Sequence, residues 1–117
     1  MTVGLRGHDP RTARDGYRVL VDRLWPRGIS KSAADLDEWC REVAPSASVQ
    51  QWYGHVPERF PEFRERYRIE LATGDAAAAV QRLRQLPRER TLTSLTASRD
   101  PATSNAAVLA EVLAGGL

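Results

Sequence analysis

The chain has 117 residues, 42% of them hydrophobic and 27% charged, the size and composition of one globular domain that buries a core without staples. This excludes a disordered tail, a collagen-like repeat and a disulfide scaffold. Sixteen of the 17 basic residues are arginine, with Lys31 the lone lysine, yet the net charge is +2, so the basic residues do not form a polybasic field.

Thr2–Arg6 reads as a short strand, followed by a loop over Gly7–Gly16 with the turn dipeptides Asp9-Pro10 and Asp15-Gly16. Tyr17, Val19 and Val21 alternate with Arg18, Leu20 and Asp22, a strand pattern in which Leu20 points to burial on both faces. Trp25-Pro26-Arg27-Gly28 then breaks regular structure, because Pro26 lacks a donor and Gly28 permits positive φ. Ser30–Ala34 is a candidate helical turn. Leu36–Val43 reads as a strand ending before Pro45, with a helix over Ser32–Val43 as the alternative.

Ser46 has the form of an N-cap for a short helix through Trp52 that stops at Gly54. Pro57 suits the first position of the next helix, in which Phe60, Phe63, Tyr67 and Leu71 share a face and Glu62/Arg66 and Glu65/Arg68 pair outside. Gly74-Asp75 ends it and caps a third helix with Ala76, Val80 and Leu83 inward and Arg82, Arg84 and Arg88 outward. Thr91–Ala97 is a strand. Asp100-Pro101 caps a final helix that buries Ala106, Leu109 and Leu113. Strands at both ends with helices between predict an α/β fold: one small layered domain over residues 1–117, with a short central sheet of mainly parallel strands flanked by about four helices.

Three segments carry residues suited to chemistry. Asp22, Arg23, Trp25 and Arg27 crowd the carboxyl end of the second strand, the edge where open α/β sheets take ligands. The two arginines can hold a carboxylate or phosphate in bidentate fashion, Trp25 offers a stacking face, and Asp22 can handle a proton; alternatively Trp25 plugs a core edge and Asp22 makes a structural ion pair. Ser98, Arg99 and Asp100, with Thr103 and Ser104, run from a strand into a helix N-terminus, which favours anions, although an ordinary capping role for Asp100 accounts for that residue equally. His55 and Arg59 sit in a turn that Gly54 and Pro57 already explain, so His55 is a candidate acid/base group, or a side chain that caps a carbonyl.

The single Cys40 and two histidines supply neither an intramolecular disulfide nor a zinc set. A reducing cytoplasm fits, no metal site is expected, and no cofactor is indicated. Residues 1–10 contain no signal-peptide core, and the longest apolar run, Ala76–Val80, is too short to span a bilayer, so no membrane role is expected. Arginines at 64, 66 and 68 alternate with glutamates, which dilutes any nucleic-acid stripe.

The runs DGYRVLVDRLWPRGISK (Asp15 to Lys31), LDEWCREVAPS (Leu36 to Ser46), WYGHVPERFPEFRERYRIEL (Trp52 to Leu71) and TLTSLTASRD (Thr91 to Asp100) together resemble the DUF488 family, in its short YeaO-like branch. The resemblance implies a compact α/β fold and a cytoplasmic bacterial protein, and no established activity. It matches at Asp22, Arg23, Trp25, Pro26, Arg27 and Gly28, at Trp52, Gly54, His55, Pro57 and Arg59, and at Asp100. It favours the strand over Leu36–Val43 and a structural Cys40. The chain departs where the family has a His-Asn pair after the last strand, at positions read here as Thr103 and Ser104, and where Thr96 and Ser98 replace the usual strand-end residues. If the family's site uses that pair, the chain lacks a titratable group there, which the resemblance would make the mark of a divergent or inactive paralogue.

Three functions follow from these residues: a small enzyme or binding domain for an anionic small molecule, a nucleic-acid-associated module, or a non-catalytic interaction protein. In the first, Arg23, Arg27, Arg59 and Arg99 hold the anion with Ser98, Trp25 stacks, and Asp22, Asp100 or His55 handles a proton.

Overall fold

The computed structural model describes residues 2–6, 16–25, 28–30, 35–85, 91–96 and 100–115. Among these, β1 (Thr2–Arg6), β2 (Tyr17–Leu20), β3 (Glu38–Trp39) and β4 (Thr91–Leu95) form a sheet in the order β1-β4-β2-β3, with every pairing parallel. The helices are α1 (Ala47–Tyr53), α2 (Phe60–Leu71), α3 (Gly74–Arg84) and α4 (Asn105–Leu113). The expected α/β class therefore holds. No helix of the described residues is long and apolar enough to cross a membrane.

One face of the sheet carries Tyr17, Val19, Val21 and Leu92, which pack with Phe63, Tyr67, Leu83, Leu109 and Val112 of the helices. Strand alternation turns Arg18 and Leu20 to the opposite face, and both are fully buried there as well, as the apolar character of Leu20 predicts. A buried guanidinium needs acceptors. Arg18 Nε donates to the carbonyl of Asp35 at 2.9 Å, and its backbone N–H donates to the Asp37 carboxylate at 2.8 Å. Asp35 and Asp37, just before β3, thus lie against the face away from the helices. Trp39, in register with Leu20, packs there edge-on against Trp25 with centroids 5.3 Å apart.

The chain leaves β4 differently, because α4 packs back over β4 and β1 on the helical face. Neighbouring strands β2 and β4 consequently send their continuations to opposite faces. A parallel sheet opens a crevice at its carboxyl edge at such a switch point.

Several local expectations are corrected. The segment Leu36–Val43 is neither one long strand nor a helix: its strand is Glu38–Trp39, and a 3₁₀ turn occupies Arg41–Val43. Ser46 does cap α1, its Oγ accepting from the Val49 N–H at 3.3 Å, and Gly54 closes that helix at φ 54°. Pro57 begins a 3₁₀ turn, Pro57–Arg59, and Pro61 stands in the first turn of α2. Thr73 precedes α3, so Asp75 lies inside its first turn as a charge at the positive helix end and is not the cap. Asp100 caps a 3₁₀ turn (Pro101–Thr103), accepting from the Ala102 N–H at 3.2 Å, while α4 itself starts later, after Ser104. The helical turn over Ser30–Ala34 lies largely outside the described residues.

The outward arginines also differ from expectation. Glu62 and Arg66 do pair across one turn at 2.8 Å. Arg82, however, grips both carboxylate oxygens of Glu38, which also accepts from the Tyr17 hydroxyl at 2.8 Å. Arg84 is half-buried and donates to the Val112 carbonyl at the end of α4. These positions use the planar fork of arginine, and a lysine does not reproduce it.

Candidate functional site

The end of β2 is built by contributions from three elements. Past Leu20 the ladder persists for one more bond, Val21 N–H to the Leu95 carbonyl at 3.1 Å, which places Asp22 beside Thr96 at the end of β4. Thr96 Oγ1 donates to Asp22 Oδ1 at 2.9 Å, and Asn105 Nδ2, from the first residue of α4, approaches the same oxygen at 3.3 Å. Asn105 Nδ2 also donates to the Val21 carbonyl at 3.0 Å. Thr96, Ser104 and Asn105 are buried, and Asp22 is half-buried. The Asp22 carboxylate is therefore held in position at the carboxyl end of β2.

Two tryptophans form the adjoining wall. Trp39 Nε1 donates to the Asp22 carbonyl at 2.8 Å, and Trp25 Nε1 to the Ile29 carbonyl at 2.6 Å. These bonds satisfy both indole donors and leave the rings as half-buried apolar surfaces. Arg41 lies 4.7 Å over the Trp39 ring. Gly28 adopts φ 73° and so supplies the reversal expected after Trp25. Arg23 and Leu24 are exposed at the rim.

Electrostatically, the site extends inward to Tyr67. Its buried hydroxyl donates to the Val43 carbonyl, and its phenol is held well above the usual range, first by burial and then by the charge of Asp22. Cys40 is fully buried with its thiol pushed up to about 12, chiefly by burial and then by Glu38 and Glu42, so it is a neutral packing group. Among the described residues no cluster of His, Cys, Asp and Glu is arranged to hold a metal ion.

The remaining candidates gather elsewhere or lie outside the described residues. Arg59 donates to the Trp52 carbonyl at 2.6 Å and stacks over the Trp52 ring, whose other neighbour is Arg66 at 4.4 Å. His55 is exposed at φ 58°, its ring 5.9 Å from Tyr53, and the Tyr53 hydroxyl ties this turn to the Thr103 carbonyl at 2.6 Å. Asp100 is exposed and occupied as a turn cap. Arg27, Ser98 and Arg99 fall outside the described residues. The sequence reading missed Asn105, because counting from Asp100 put Thr103 and Ser104 at the family's His-Asn positions. The asparagine amide comes instead from the next residue, and the signal available for it was an Asn opening an otherwise apolar helix.

A family model described as the inactive DUF488-N3 subclade matches residues 3–117. The chain belongs to this family. An uncharacterised protein of Mycobacterium tuberculosis is 50% identical to the DUF488-N3 chain over 101 residues, 86% of this chain and 83% of that protein. The uncharacterised protein YeaO of Escherichia coli is 40% identical over 109 residues, 92% of each chain. No solved structure matches significantly. In this DUF488-N3 chain the DRLWPRG run contains Asp22 and Trp25, one of the two tryptophans that meet at the end of β2.

Proposed function

We propose that this chain is a non-catalytic binding domain for a small anion-bearing molecule, a phosphate, nucleotide or carboxylate, taken up at the carboxyl ends of β2 and β4. The supporting observation is the preformed edge itself: Asp22 held by Thr96 and Asn105, with Trp25 and Trp39 beside it, at the kind of switch point where parallel sheets bind ligands. Arg23 stands exposed at this rim. Arg27 follows it by four residues in the sequence, and Ser98 and Arg99 follow Thr96 by two and three; guanidinium groups are the donors that suit such an anion.

Two considerations support the non-catalytic reading. The family is described as inactive, and no histidine stands at either Thr103 or Ser104. Thermal-shift measurements against inorganic phosphate, mononucleotides and dicarboxylates test the reading, since a ligand at 100 times its Kd adds about 2.7 kcal/mol. Arg23→Ala and Arg27→Ala are expected to abolish the shift, and the ligand is expected to be recovered chemically unchanged. A panel without a single stabilising compound, or arginine variants that retain the shift, would sink the proposal. Oligonucleotide affinity that falls steeply with salt would favour a nucleic-acid partner instead.

A further inference from the structure

We draw no further inference here: the strongest candidate, the surface patch past β2 with exposed Leu24 and the paired rings of Trp25 and Trp39, carries nothing because no observation in the structure shows what covers it.

Discussion

Asn105 reaches from the first turn of α4 to the carbonyl of Val21, 3.0 Å away, and so pins the helix to the end of the central strand. Both groups are buried, and a lost partner leaves an acceptor without water to replace it. Asn105→Ala is expected to lower stability by about 1–3 kcal/mol. Asn105→Asp should cost more at neutral pH, because its carboxylate faces Asp22, and should recover part of the loss in acid. Urea titrations at two pH values measure both effects, and an alanine variant as stable as the parent would show that the bond contributes nothing.

The strands and helices were legible because their patterns are local. Tyr17, Val19 and Val21 alternate, and Phe63, Tyr67 and Leu71 recur at helical spacing on a buried face. Ser46 and Gly54 mark both ends of α1 for reasons contained within a few residues. Asn105 was not legible, because its role depends on Val21, far away in sequence. Arg18 shares the strand face that Leu20 marks for burial, but the partner that lets its guanidinium be buried, the Asp35 carbonyl, is not visible in the local pattern. Asp22 stands out in the sequence with the arginines that follow it, but the bonds that hold its carboxylate come from Thr96 and Asn105, distant in the chain, and no local pattern announces them.

Arg82 and Glu38 define the acid side of the stability profile. The Arg82 hydrogen bonds hold the Glu38 carboxyl below its usual range, with the Tyr17 hydroxyl helping and burial opposing. A depressed carboxylate contributes stability that is complete above its unfolded value, roughly 4.3, and that is lost as pH falls through the lower folded value. Half of the Arg82 side chain is exposed, so solvent screening limits the pair to about 1 kcal/mol or less. Arg82→Ala should flatten the acid limb of a stability-against-pH curve, and Arg82→Lys should restore only part of it, since the ammonium cannot span both oxygens.

The alkaline side has the opposite sign. Cys40 and Tyr17 are each pushed up to about 12, first by burial and then by acidic neighbours, Glu38 foremost. In the unfolded chain a thiol titrates at roughly 8.5 and a phenol at roughly 10. Groups raised in this way contribute stability that is complete below those unfolded values and disappears as pH climbs toward about 12. Stability should therefore begin to decline in the thiol range. Cys40→Ala should delay the onset to the phenol range, and an unchanged onset in that variant would count against the buried thiol as its cause.

Ser94 is the reverse of Asn105. It is fully buried in β4, and its hydroxyl has no hydrogen-bond partner among the described residues. A desolvated hydroxyl left unpaired costs about 1–3 kcal/mol in mutational series. Ser94→Ala removes that cost with almost no change in volume, and it should leave stability unchanged or raise it by up to about 1 kcal/mol. Destabilisation by the same amount in guanidinium unfolding would mean that the hydroxyl is bonded after all.

His55 follows Gly54 with a second left-handed conformation, φ 58° after φ 54°. Glycine accepts this geometry freely, whereas other L-residues there pay about 1–2 kcal/mol, less for Asn, Asp and His. At Gly54 an added Cβ meets only the Gln51 carbonyl at 3.5 Å, an ordinary contact, so the cost of Gly54→Ala should be conformational alone, about 1 kcal/mol. His55→Gly should match or exceed the parent by up to about 1 kcal/mol, after allowing for the extra freedom of glycine in the unfolded chain. His55→Val should fall below the parent by about 1–2 kcal/mol, since a β-branched side chain is poorly accommodated at this φ. Strain kept at an exposed position is a reason to look for function there. If His55→Gly is stable and still binds the ligand of the β2–β4 crevice, the imidazole is outside that site, and if it is stable but binding is lost, the strained turn belongs to it.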